Sequence, residues 1–591
     1  MSTETNLLFR QANWLWLALL LICASFSEVE ATHLRAGNIT VKGDTTSTPN
    51  PLRYFFRMVL YTNRHSAGED QAITISYGDG TQQTIPRGPV RQISPEIDQE
   101  VFTWDHTFPG PGTYTINWIG VSRNGRNLNL AAPSDVYNLY LATTININPF
   151  RGYNSSPVLN NPPIYFANVG RKYAYNPAAY DAEGDSLSFK LVPPRTKALN
   201  TENIVPVPGF TLPNVLFGCR NATDTGPSAF TLDPHTGQME WDAPCRTGEY
   251  TVAFVVEEWR KSPGGGAVKI GEIMQDMQIM VQENTNRPPV LSPKDTCIVA
   301  GTTLHGVISA TDPDADLLFL SAMSGIMPPA QFTPRASNAT TTGVAAGDFT
   351  WTPSCADVRE QPYQVLFRAE DIKSNISERQ SDMQPWNIRV VASPPQNLAV
   401  QASGRHVQLS WDRYTCPNAA TFRIYRRTAS SGFTRDACNA GVPANSGYVL
   451  VAEVASDATS FLDTNGGAGL SLFKKHCYVL TAGFASPGNG QSIASAEACA
   501  PPLILSSDAE VLDQLVQVYP NPAQGRLQVE LPGNISWNSL RIYNVAGMLV
   551  QEMQGNGRNS IRLELPQLAP GLHLLQVNTN KGLVTKRVLI E

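Results

Sequence analysis

The residues best suited to chemistry are two short acidic clusters. In the run DPDAD, Asp312, Asp314 and Asp316 lie two apart, so they share a face only where the backbone is extended. A sister run, DAEGD, holds Asp181, Glu183 and Asp185 at the same spacing. Hard carboxylate oxygens gathered in this way suit Ca²⁺. An EF-hand is excluded: its sixth and twelfth loop positions need Gly and Glu, and here they are Leu317 and Met323, or Ser186 and Val192 in the sister run. The other reading is a structural turn in which Asp side chains bond their own backbone, and it is the favoured one of the two.

Other chemistry has less support. The eight histidines are dispersed, and no H-E-x-x-H pair occurs. No G-x-S-x-G elbow or cysteine-nucleophile signature is present, so no catalytic residue is assigned. Gly264-Gly265-Gly266 lacks the lysine and helix of a phosphate loop and reads as a hairpin turn.

These residues need elements to hold them. In 591 residues only 16% are charged, while Gly and Pro number 44 each and aromatics reach 9%. Sparse charge, many turn formers and no sustained helical periodicity favour short strands, and the length calls for several cores. The expectation is an all-β chain, a linear array of immunoglobulin-like β-sandwich domains closed by a small C-terminal sandwich.

The N-terminus reads as an export signal: Arg10, then the apolar run Trp14 to Phe26, then Val29-Glu30-Ala31, with cleavage after Ala31. No later stretch is long and apolar enough for a transmembrane helix, so none is expected in the mature chain. Cleavage removes one Arg and three Glu, taking the formal charge from −6 to −4. No basic stripe for nucleic acid and no polybasic membrane patch remain. Eight cysteines stay, at 219, 245, 297, 355, 416, 438, 477 and 499, an even count that reads as disulfides in an exported chain. Pairing within each sequence unit gives Cys219–Cys245 and Cys297–Cys355; the last unit holds four cysteines whose connectivity stays open, with Cys416–Cys438 and Cys477–Cys499 the preferred arrangement.

Motif phrases divide the chain. Tyr77-Gly-Asp-Gly-Thr81 followed by HTFPGPGTYTI resembles a polycystic kidney disease (PKD) repeat, assigning 32–150 to a PKD-like sandwich after the signal peptide 1–31. The next two units repeat one another. Asn154-Ser-Ser-Pro157 and Asn286-Arg-Pro288-Pro289 open them, an Ala-x-Asp element follows in each, and Trp241 and Trp351 precede strands led by Tyr250 and Tyr363. The pattern resembles cadherin-like or immunoglobulin-like modules, giving 151–285 and 286–392. Calcium sites of cadherins draw further acidic residues from elsewhere in the chain, and spacing alone identifies none here. The phrase NLAVQASGRHVQLSWD…TFRIYRR resembles a fibronectin type III domain, with Trp411 in its core, over 393–502.

After a linker at 503–510, residues 511–591 carry four phrases in order: VYPNP, SLRIYNVAGMLV, IRLELPQLAPGLHLLQV and LVTKRVLIE. They resemble the type A sorting domain of Bacteroidota type IX secretion cargo. The motif falls on Tyr519, Pro520, Asn521, Pro522, Gly525, Gly547, Gly571 and Lys586, with Leu572 or His573 where that family usually has Tyr. The resemblance implies recognition by the type IX translocon and its surface-attachment machinery, and a location outside the cell or on the outer-membrane surface. The function expected is binding or adhesion, with an extracellular glycan or protein as ligand. A carbohydrate-binding role in polysaccharide use, and a hydrolase within 32–285, are the alternatives.

Overall fold

The computed structural model describes residues 34–591 apart from 65–70, 164, 263–265, 336–341, 375–377, 431, 433–434, 436–437, 473, 504–508, 534, 556–557 and 566–567. The signal-peptide reading with Ala31, and Gly264 and Gly265, lie outside these residues. Among the described residues the one α-helix is Ala509–Leu515, and the rest of the regular structure is strand with a few 3₁₀ turns. The all-β class follows from residue choice: alternating β-branched and aromatic side chains fill one strand face, and Gly, Pro and Asn serve the turns.

The chain forms two compact units. One comprises residues up to Ser354, with Arg359–Val390 and Ser486–Asn489. The other comprises Cys355–Val358, Val391–Ala485 and Gly490–Glu591.

The first unit is built on a twelve-stranded sheet whose seam is the 16-residue strand Ala267–Gln282. This strand pairs antiparallel with Gly248–Lys261, with Leu139–Ile147 (Gly271 opposite Ile145) and with Leu34–Gly43 (Ala36 opposite Met277). The boundary drawn at 150/151 therefore falls inside one sheet, because strands from both sides of it are hydrogen-bonded together. The seam hides this by its polar residues. Gln275, Asp276 and Gln278 are polar but buried. Gln275 exchanges hydrogen bonds with Asn38 (2.8 Å) and Gly37 O (3.0 Å). Asp276 receives Arg123, from the 121–138 segment that covers it, through Nη1–Oδ1 at 3.0 Å and Nη2–Oδ2 at 2.5 Å. Close approach is essential at Gly37, opposite Asp276, where a Cβ would lie 2.6 Å from Leu141 Cδ1.

Residues 286–392 close as two four-stranded sheets. One orders Val290–Leu291, Leu304–Thr311, Val344–Trp351 and Gln331–Pro334; the other orders Thr296–Val299, Ser381–Val391, Tyr363–Asp371 and Leu318–Met323. Phe349, Phe367 and Trp386 pack edge to face or tilted between them, as aromatic quadrupoles prefer.

The second unit begins with a three-stranded sheet (Ala399–Ser403, His406–Ser410, Ser460–Asp463) and a four-stranded one (Val449–Ala455, Ala419–Thr428, His476–Phe484, Ala498–Ala500). Its last part repeats that arithmetic. Gln517–Tyr519, Arg526–Glu530 and Ser560–Glu564 form one sheet; Leu549–Gln554, Trp537–Tyr543, Gly571–Thr579 and Gly582–Ile590 form the other. Leu527, Val529 and Leu531, with Ile561, Leu563 and Leu565, are buried between them, as their period-two spacing requires. Leu512 of the helix joins the same core.

Cys219–Cys245 and Cys477–Cys499 are linked as the sequence units suggest. Cys355 instead pairs with Cys416, which corrects the expected Cys297–Cys355 and Cys416–Cys438 links. The reason is local packing. The 3₁₀ turn Cys355–Asp357 belongs with the sandwich that follows it, where Asn418 Nδ2 donates to Cys355 O at 2.9 Å. Cys297 and Cys438 are also in disulfides.

Candidate cation sites

Each acidic run forms a turn that the Asp side chain holds. Asp181 Oδ1 accepts the backbone N–H groups of Gly184 (2.6 Å) and Asp185 (2.7 Å). Asp312 Oδ1 accepts those of Asp314 (2.8 Å) and Asp316 (3.1 Å). Gly184 takes φ +90° in the first turn, a conformation that costs a residue with a Cβ.

A strand then brings a third carboxylate to each turn. One carboxylate oxygen each from Asp181, Asp185 and Glu258 lie within 4.8 Å of one another, and so do those of Asp312, Asp316 and Asp371. Glu258 lies near the end of Gly248–Lys261 and Asp371 ends Tyr363–Asp371. Sequence reasoning missed both, although the signal was present: each is eight residues beyond the tyrosine that aligns the repeat, Tyr250 or Tyr363. The equivalence extends further. Asn154 Nδ2 donates to Glu258 Oε2 at 2.8 Å, and Asn286 Nδ2 to Asp371 Oδ2 at 2.5 Å. Two residues past each third acid stands a base.

The bases act differently. Arg260 is spread over four partners: Asp185 through Nε (2.8 Å) and Nη2, Asn154 Oδ1 (2.6 Å), and the carbonyls of Arg151 (2.7 Å) and Tyr153 (3.3 Å). Lys373 Nζ stands 2.6 Å from Asp316 Oδ2. The middle acids also diverge. Asp314 is drawn out of its cluster by Arg287, accepting the backbone N–H at 2.7 Å and Nε at 2.8 Å. Glu183 stays near Asp181, and burial first, then the Asp181 charge, pushes its carboxyl up to about 7. Burial raises Asp181 as well, and holds Glu258 well above the usual carboxylate range with Asp181 as the next cause. Asp371 is pushed up to about 6, chiefly by burial.

Both clusters have access to solvent space. A cavity of about 310 Å³ is lined by Asp181, Asp185, His235, Asp295 and Arg359, and one of about 870 Å³ by Asn284, Asn286, Asp314, Asp316 and Lys373. A third grouping, Cys477, Glu497 and Cys499, is no ligand set, since its cysteines are bonded to each other. His106 Nε2 meets Asp79 Oδ2 at 2.8 Å and stacks on Tyr77, while Thr81 donates to the other Asp79 oxygen at 2.6 Å. That arrangement ties the Gly-Asp-Gly hairpin to the strand Ile97–Thr107.

The sorting phrases run through both sheets of the last sandwich. Asn521 clamps the final strand, donating to Arg587 O (2.9 Å) and accepting from Leu589 N (2.8 Å). Tyr519 and the following Pro520 and Pro522 lie on the surface, and Gly525, Gly547 and Gly571 all adopt positive φ. Lys586 Nζ lies 3.0 Å from Asp513 Oδ2, joining the final strand to the helix.

Residues 517–591 match the family described as secretion system C-terminal sorting domain. The chain is therefore cargo of the type IX secretion system, a secreted or cell-surface protein whose C-terminal domain engages that machinery. No curated protein matches the chain. No helix among the described residues is long and apolar enough to cross a membrane.

Proposed function

We propose that this is a binding or adhesion protein, delivered by its sorting domain to the outer-membrane surface or the medium. The upstream segments act as display modules of the PKD-like, cadherin- or immunoglobulin-like and fibronectin type III-like kinds, and none is catalytic. The observation that carries the reading is a sorting domain joined to disulfide-linked sandwiches, a durable scaffold for loops that recognise partners. Cell fractionation of the full chain against one ending at Ser507 tests delivery; equal arrival of both at the surface would sink it. Retention of cells by matrix proteins, lost on deleting residues 32–502, tests adhesion.

One observation favours a second reading, carbohydrate binding. A groove of about 700 Å³ is lined by Phe55 and Tyr180 together with Lys42, Arg57 and Asp105. Arg53 stacks over the Phe55 ring at 4.9 Å, and aromatic rings beside charged hydrogen-bonding groups suit a sugar ring. A glycan array probed with the purified chain distinguishes the two, and Phe55→Ala should abolish any glycan signal that arises here.

A further inference from the structure

We propose that the cavity lined by Arg368, Glu370 and Arg379 binds a small carboxylate with an apolar body, of the aryl- or alkyl-carboxylic acid class. The cavity measures about 420 Å³. Taking the ~30 Å³ share of a water molecule as the unit, that is room for roughly a dozen non-hydrogen atoms, and it falls in the range of small-molecule sites. Its apolar lining comes from parts of the chain far apart in sequence: Ile93 and Pro95, Pro162 and Phe166, and Met323. Ile93 and Met323 also pack against the buried cluster that holds Tyr61, Ile97, Leu366 and Met383. The cavity is therefore bounded by fixed core, which preforms it.

The polar lining has one positive charge in excess. Arg368 and Glu370 lie two apart on the strand Tyr363–Asp371 and share a face, and Arg368 Nη2 pairs with Glu370 Oε2. Arg379 Nη1 reaches the other oxygen, Oε1, at 3.4 Å, and its Nε donates to Lys373 O at 3.1 Å. One carboxylate thus serves two guanidiniums, and its bond to Arg379 is a long one. A guanidinium offers five donors in a planar fork that matches a carboxylate. Nη2 of Arg379 takes no part in the bonds just named. The side chains of Arg368, Glu370 and Arg379 are 29%, 18% and 34% exposed, so a ligand from solvent reaches them.

A second carboxylate entering the cavity balances that charge and takes the fork of Arg379. Glu370 is then the chain's own occupant of the anion position, and a competitor for it. A bare inorganic anion would meet the same charge but leave the apolar lining facing water. A carboxylate that carries a ring or a short chain satisfies both, since burying apolar surface and pairing the charge happen together. This cavity shares no residue with the groove around Phe55, so it stands apart from the carbohydrate reading.

The test titrates the full mature chain with phenylpropionate by calorimetry, with phenylpropanol and propionate alongside. Saturable binding of phenylpropionate is expected, and about 10–100-fold weaker binding of the alcohol, the worth of hydrogen bonds to a charged group. Propionate, which lacks the ring, should also bind more weakly. Arg379→Gln should weaken phenylpropionate about 10-fold, with Glu370 still held by Arg368. Glu370→Gln removes the internal competitor and should tighten binding severalfold, an effect that adsorption to an apolar surface does not show. Folding of each variant is checked by near-ultraviolet dichroism. Should either variant not fold, the wild-type chain labelled at its methionine methyl groups decides the question: phenylpropionate should shift the Met323 resonance, identified by Met323→Leu. Absence of saturable phenylpropionate binding at millimolar concentration overturns the proposal. So does equal affinity for the alcohol or for propionate, binding that Glu370→Gln weakens or leaves unchanged, or a Met323 resonance that does not move.

Discussion

Replacing Arg123 with Met should weaken the first unit severely. Arg123 and Asp276 have side-chain exposures of 1% and 0%, and their contact is bidentate. Arg123 also donates to the carbonyls of Asn138 (2.9 Å) and Arg195 (3.2 Å), pinning the covering segment to the sheet. Removing one partner of such a pair leaves a buried, uncompensated charge and costs about 3–5 kcal/mol. Met fills similar volume, so the loss reflects charge rather than a cavity. Urea unfolding followed by fluorescence of the buried Trp104, Trp118 and Trp241 measures it. Burial already raises the Asp276 carboxyl, with Arg123 opposing, and removing Arg123 raises it further. The folded variant then keeps its proton where the unfolded chain has lost it, so stability falls as pH rises through that interval. The deficit should be larger at pH 8 than at pH 5. Adding Asp276→Leu should recover most of the loss. A loss below about 1 kcal/mol, or a double variant as unstable as the single one, would refute the assignment of this pair as the seam's anchor.

Peptide mapping of the oxidised chain should recover Cys355 joined to Cys416, a link of sequence separation 61 worth about 4 kcal/mol in the loop-entropy account; a Cys297–Cys355 peptide would contradict it. In chelator, the first unit should melt at higher temperature as pH falls from 8 to 6. Glu183 and Asp371 titrate near 7 and 6 when folded, above their unfolded values, so the folded chain holds protons that the unfolded chain has released. A melting temperature that rises with pH over this range would count against it. Asn521→Ala removes two hydrogen bonds holding the last strand and should cost about 1–2 kcal/mol, read as faster proteolysis of the sorting domain and reduced surface delivery; unchanged protease resistance would refute the clamp.

The sorting domain was the most legible part of the chain, because its strands bury one face each and alternation reports this directly. The paired acidic turns were equally visible, since Asx turns are local. The third carboxylates were not, for Glu258 and Asp371 arrive from strands far along the chain, although the repeat marks their positions. The seam was hidden for a different reason. Gln275, Asp276 and Gln278 are polar yet buried, so their side-chain types do not mark the strand as covered on both faces. Cys355 misled because pairing by sequence unit assumes that each cysteine packs with the strands beside it, and this turn packs with the next sandwich.

The seam strand also sets a timetable for synthesis. Leu34–Gly43 is made early, but the partner for its second edge, Ala267–Gln282, follows more than two hundred residues later. At ~5–20 residues per second that edge stays open for on the order of 10–50 s. An unpaired strand edge is a template for wrong pairing, so the N-terminal half carries that exposure until its closing strand arrives.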